Sequence, residues 1–292
     1  MTRNRRATLY ALGAVALWST VATAFKLALR HQSPLMLITT ASAVSWLVFT
    51  ALLAGRGELR AALRGGWRTA AWSGLLNPVA YYLLLFAAYD RLPGQEAMAL
   101  NYTWALTMSL LAVPVLGQRL SARDLLAGVV AYAGVWVIAT RGAITQVHFA
   151  DPVGVAAALA STVLWAAYWL ASARDRREPV VGQWQNFTIA LPVLVGLCLW
   201  REGIPSVPLP GLLAAVYIGL FELGIAFMLW QLALRYTTRA ASVASLIFLS
   251  PPASLCFLAL VAGEPLLPST LPGLLLILTG LALRPRPPAE DA

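Results

Sequence analysis

"GLLAAVYIGLFELGIAFMLWQLAL", residues 211–234, contains one side chain that is charged at neutral pH, Glu222. At ~1.5 Å rise per residue, a helix of this length crosses a ~30 Å hydrocarbon core. A soluble domain would have to bury every face of such a helix, whereas a bilayer accepts it directly. The run therefore predicts a membrane span. Glu222 lies eleven residues from Gly211, which places it on the order of 16 Å along the axis, near the midplane. An ionised carboxylate facing lipid there would cost at least ~2.5–3.5 kcal/mol, so Glu222 is expected to face protein or water. Gly219 and Ala226 sit on the same helical face and leave room for a neighbouring helix or a ligand. Lys26 is the obvious opposite charge, but it falls near the end of the first apolar run, so the depths match poorly. Tyr or Asn hydroxyl and amide groups are the expected partners.

The rest of the chain has the same character. Of 292 residues, 60% are hydrophobic and 11% charged, with a mean hydropathy of +0.73, whereas soluble chains carry about 25% charged residues. Uncharged runs mark ten candidate helices, roughly 7–28, 33–54, 69–89, 96–116, 122–140, 152–172, 180–200, 210–233, 239–261 and 267–283. The linkers are short and rich in Arg, Gly and Pro, leaving no space for an inserted soluble domain. Residues 284–292, "RPRPPAEDA", read as a polar, Pro-rich tail. The opening "MTRNRRATLYALGAVALWSTVATA" has the outline of a secretory signal. Because an internal repeat includes it, it is expected to remain as the first span.

The arginines set an orientation. With the N-terminus inside, sixteen fall in inner segments: Arg3, Arg5, Arg6, Arg56, Arg60, Arg64, Arg68, Arg119, Arg123, Arg174, Arg176, Arg177, Arg235, Arg239, Arg284 and Arg286. Four fall outside, Arg30, Arg91, Arg141 and Arg201. Basic residues stay cytoplasmic, so both termini are expected there. The same distribution accounts for the net charge of +9 without nucleic acid as a partner. Cys198 and Cys256 lie in apolar runs and His31 and His148 in separate loops, with no metal-ligand spacing. Lys26 is the single lysine and follows Phe25, so there is no phosphate-binding Gly-Lys-Ser/Thr. No cofactor is expected. Nor does any Ser-His, Cys-His or paired-carboxylate set lie at membrane depth, which disfavours an intramembrane enzyme.

The two halves resemble each other. Gly117, Leu120, Leu125 and Gly134 recur in order as Gly263, Leu266, Leu271 and Gly280, and "LWST" at 17–20 precedes "LWAA" at 164–167 by 147 residues. Five spans is an odd number, so a second copy must enter the membrane upside down. The predicted fold is thus an all-α integral membrane protein, ten transmembrane helices as two inverted five-helix repeats around a central cavity. Repeat one covers 1–141, repeat two 152–283, and 284–292 is a cytoplasmic tail. Transporters of this design bind substrate near the midplane, between the repeats.

The Trp-bearing first helix of each half, the G-Q-R-L and G-E-P-L turns at 117–120 and 263–266, and the Gly-bearing closing helices carry a resemblance. They are similar to the EamA-type repeats of the drug/metabolite transporter superfamily, and nearest to its YddG-like branch. That resemblance implies an inner-membrane exporter of amino acids, especially aromatic ones. Gln118 stands where the family pattern of the turn has an acid, which Glu264 retains.

Several polar and aromatic residues share helical faces: Asn77 and Tyr81, with Tyr82 beside them; Asn101, Trp104 and Met108; Ser161, Trp165, Tyr168 and Ser172; Ser242 and Ser245. Asn amides find no partner in hydrocarbon. These residues therefore face other helices, where such contacts contribute ~0.6 kcal/mol each, or a water-filled cavity. Trp67, Trp72 and Trp200, near span ends, read as interfacial belt residues. Trp104 and Trp165, lying deeper, read as cavity walls. The candidate substrate-binding set is Asn77, Tyr81, Tyr82, Asn101, Trp104, Trp165, Tyr168, Glu222 and Ser245. Pro251 and Pro252 cannot donate to the carbonyls of Ile247 and Phe248 and are candidate gating residues in a broken ninth helix. A cavity with aromatic walls and one deep acid suits a small zwitterion with an apolar side chain, or an organic cation held by cation–π attraction. The expected partners are an amino-acid substrate and the lipid bilayer.

Overall fold

The computed structural model describes residues 3–104, 107–108, 110–111, 122–145, 151–172, 175–203, 206–236 and 245–283. These residues form helices and connecting turns, with no strand among them. Among the described residues six helices are long and apolar enough to cross a membrane: α1 (Arg3–Leu29), α2 (Pro34–Gly55), α3 (Trp67–Arg91), then, after α4 (Gly94–Asn101) and α5 (Ala122–Ala139), α6 (Pro152–Ser172), α7 (Pro179–Glu202) and α8 (Leu209–Ala233). A tight 3-10 turn, Ser245–Leu249, leads into α9 (Ser250–Leu260), and α10 (Thr270–Leu283) follows. The expected spans at 96–116 and 239–261 run partly through residues outside the described set, as does the turn at 117–120.

Local sequence sets the helix starts. Ser33 caps α2, its hydroxyl accepting from the Met36 N–H, with Pro34 in the first turn. Glu178 does the same for α7, accepting from Val181, followed by Pro179. Asp151 stands before α6. The Gly154 N–H and the Arg91 guanidinium both donate to it and hold its carboxyl below the usual carboxylate range.

Helix pairings come in matched sets. α1 packs on α8 and α9, as α6 packs on α3 and α4. α2 packs on α8, as α7 packs on α3. The α2–α7 pair is tied by two reciprocal bonds, Trp46 Nε1 to Thr188 Oγ1 and Trp184 Nε1 to Thr50 Oγ1, each 2.9 Å. α5 and α10 meet where Gly134, Gly273 and Gly280 bring the two backbones together, small residues being what permits such approach within a membrane.

Among the described residues two long helices depart from regular α geometry in mid-course, α3 by a break and α8 by widening alone. In α3, Pro78 has no N–H and its ring disfavours helical geometry at the residue before it; Asn77 is extended (φ −145°, ψ 117°) within a widened stretch, Leu75–Ala80. Asn77 and Tyr81 therefore do not share a continuous helical face, contrary to the spacing argument. In α8 a widened π stretch runs from Ile218 to Ala226. The 147-residue offset carries Asn77 to Gly224, inside that stretch. The same offset carries Tyr102, where α4 is interrupted by a turn, to Leu249, where the 3-10 turn gives way to α9. Pro251 and Pro252 lie in the first turn of α9, which continues directly from the Ser245–Leu249 turn, and residues 237–244 before that turn lie outside the described set.

Candidate functional site

These helices surround a cavity whose empty space, open solvent included, is about 690 Å³. Its wall comes from α1, α3, the α4 segment, α6, α8 and the start of α9. Neither α2 and α7 nor α5 and α10 contribute to it, so those pairs form the outer frame.

Five of the sequence candidates line the cavity: Tyr81, Asn101, Trp104, Trp165 and Glu222. Tyr81 stacks on Trp165 with centroids 4.3 Å apart and planes 23° from parallel. Asn101 donates to Ser161 at 3.0 Å, which ties α4 to α6. Glu222 is 7% exposed and accepts a 2.8 Å hydrogen bond from the Tyr82 hydroxyl through Oε1. Gly219, one turn earlier, abuts the Ala41 carbonyl, and its own carbonyl accepts from Ser45 at 2.7 Å. The Gly219 face of α8 is therefore filled by α2, and Glu222 turns toward the cavity instead.

The other candidates lie elsewhere. Tyr82 is fully buried behind Glu222 and acts on it by hydrogen bonding. Tyr168 is buried outside the lining and accepts from Gln183 at 3.0 Å. Asn77 is buried at the α3 break and is not a wall residue. Ser245 opens the 3-10 turn, and its side chain lies outside the described set.

The wall also holds residues that helical spacing did not single out: Trp18, Trp169 and Trp230, with Tyr89, Tyr102 and Ser254. Trp18 meets Trp230 at 5.2 Å, and Trp169 stands at right angles to Trp165 while lying parallel to Phe227. The signal was present. Trp165 and Trp169 are four residues apart on one helical face, and Trp18 occupies the 147-residue equivalent of Trp165.

Lys26 is remote from Glu222. Its ammonium donates to the carbonyls of Tyr89 and Leu92 and pairs with Glu264 at 3.7 Å. Glu264 also accepts from the Gly94 N–H, while Gln95 exchanges bonds with Pro265 and Leu267. The acid of the G-E-P-L turn thus ties the α3–α4 turn to the α9–α10 turn rather than facing the cavity.

Comparison with known proteins fits this architecture. The model of the EamA-like transporter family matches residues 5–140 and again 152–284. An aromatic amino acid exporter, YddG, of Ancylobacter novellus is 31% identical over 241 residues, covering 78% of this chain and 79% of that one. A probable terminal-alkyne amino-acid exporter of Streptantibioticus cattleyicolor is 29% identical over 73% of this chain and 71% of its own. A crystal structure of a protein 25% identical in sequence superposes with a TM-score of 0.68 over 95% of both chains. The family is one of transporters, not enzymes, and with its apolar helices the chain is a multi-pass membrane protein. It belongs to the EamA-like transporter family.

Proposed function

We propose that this protein exports amino acids, aromatic or otherwise apolar ones first, across a bacterial inner membrane. In this reading two inverted five-helix repeats, 1–141 and 152–283, expose the cavity to one side and then the other, with both termini and the 284–292 tail in the cytoplasm. The matched helix pairings and the equivalent breaks in α3 and α8 support the repeat. The observation that carries the substrate assignment is an aromatic-walled cavity with one carboxylate, Glu222, in its lining. Two relatives named as amino-acid exporters point the same way.

Tyr81, Trp104 and Trp165 offer ring faces to an apolar side chain, since stacking needs only such a face. Asn101 contributes an amide. Glu222 attracts the substrate ammonium, and Tyr82 holds the carboxylate in place. Asn77 and Tyr168 position the α3 break and α6. Ser245, Pro251 and Pro252 belong to the junction that moves between states.

A second reading, efflux of organic cations, draws on the same aromatic walls and acid. Flux of labelled tryptophan, phenylalanine and alanine into proteoliposomes, with and without a proton gradient, tests the proposal. Tryptophan and phenylalanine are expected to cross faster than alanine. Appreciable flux of an aromatic cation with none of the three amino acids would overturn it.

A further inference from the structure

Two residues of the cavity wall, Glu222 and Trp169, each carry a polar atom that is closed off from solvent and has no hydrogen-bond partner among the described residues. Glu222 Oε2 is one: Tyr82 occupies Oε1, and although the Trp18 indole stands near the carboxylate, Oε2 accepts no bond of ordinary length. The other is Nε1 of Trp169. A carboxylate oxygen can only accept while ionised, and an indole nitrogen can only donate. Leaving such atoms unpaired in a buried site costs roughly 1–3 kcal/mol each, so both call for a ligand or water. Two other polar wall groups are engaged: Asn101 donates to Ser161, and Ser254 to the Ser19 carbonyl at 2.8 Å.

We infer that Glu222 Oε2 and Trp169 Nε1 divide the two charged ends of the substrate between them, the carboxylate of Glu222 taking the ammonium and the Trp169 N–H the carboxylate. The inference rests on the amino-acid reading and deepens it: the site is specific for a zwitterion. A simple cation would satisfy Glu222 and leave the indole N–H unpaired. A carboxylic acid without an amine would satisfy Trp169 and set two carboxylates in one low-dielectric cavity, where like charges repel strongly. Trp169 is fixed for this task, parallel to Phe227 (13° between planes) and edge-on to Trp165. Its ring cannot turn the N–H elsewhere without breaking both contacts.

The test is competition against labelled tryptophan flux in proteoliposomes of the full chain. The competitors are tryptophan, tryptamine, which lacks the carboxylate, and tryptophan methyl ester, in which it is neutralised. In the wild type, tryptophan should compete at least about tenfold better than either analogue, the size expected when a hydrogen bond to a charged group is lost. Trp169→Phe keeps a ring on Phe227 and removes only the donor. It should weaken tryptophan on the order of tenfold, leave tryptamine and the ester unchanged, and so collapse the discrimination. A wild type that carries none of tryptophan, phenylalanine and alanine defeats the amino-acid reading and this inference with it, and one that carries another of them but not tryptophan is tested with that amino acid, its amine and its ester. A wild type that carries tryptophan but does not discriminate defeats only the inference, as does a Trp169→Phe variant that weakens all three ligands equally or none.

Discussion

The breaks in α3 and α8 occupy equivalent positions in the two halves, yet they are made differently and do different things. In α3 a proline forces the break, and Asn77 is buried away from the cavity. In α8 the widened stretch, Ile218–Ala226, holds no proline, and it delivers an acid to the wall. Each break leans on the second helix of the other half. Gly74 abuts the Asn186 carbonyl of α7, and Gly219 abuts the Ala41 carbonyl of α2. The frame is nearly symmetric and the chemistry is not. Among the described lining residues only one half supplies a carboxylate, so under the proposed function a substrate at the centre would meet two different walls.

If the halves are inverted, equivalent loops lie on opposite sides of the membrane, an all-or-none difference. With Cys198 and Cys256 removed, a single cysteine at Arg60, exposed after α2, should resist an impermeant thiol reagent on whole cells. One at Arg201, exposed at the end of α7, should react. Labelling of both positions, or of neither, would break the symmetry at its root, whereas labelling of Arg60→Cys alone would keep it and reverse the orientation.

The frame should be equally intolerant at both contacts. Gly74→Leu and Gly219→Leu each drive a side chain into a backbone carbonyl, and overpacking of this kind costs about 1–3 kcal/mol or more. Both variants should show matching losses of thermal stability in detergent. A stable Gly219→Leu protein would mean that α2 does not hold the α8 break.

The walls should respond unequally to their substrates. Trp165→Ala removes the partner of Tyr81 and should lower flux of tryptophan on the order of tenfold more than flux of alanine, whereas Trp165→Phe keeps most of it. Equal losses for both substrates, at matched membrane expression, would reassign Trp165 to packing. The smallest effect is expected at the silent break. Asn77→Ala should leave KM for tryptophan within about twofold, because a residue that makes no contact with substrate contributes no uniform binding. A large rise in KM would place Asn77 in the site after all.

Much of this was legible in the chain. A lone acid in an apolar run marks itself, because a bilayer leaves a carboxylate few places to face, and Glu222 does line the cavity. The long spans were readable for the same reason. Helical spacing failed where a helix is not continuous: Asn77 and Tyr81 are four apart in sequence but separated by the Pro78 break. Trp18, Trp169 and Trp230 went unmarked because tryptophan is common at membrane interfaces, and only the packing of α1, α6 and α8 turns three of them toward one space.

The central claim is that Glu222 meets the charged group of the substrate. Its most direct test is the initial rate of labelled tryptophan flux in proteoliposomes of wild type and Glu222→Gln, from about pH 5 to about pH 8. Gln keeps the shape and can still accept from Tyr82, so the fold should survive. The account predicts that the Gln variant loses at least about tenfold in flux, as for a lost charged partner, and with it the pH response of the wild type. A folded, well-incorporated Gln variant with wild-type flux and an unchanged pH profile would contradict it and leave Glu222 as a hydrogen-bonded link between α8 and α3.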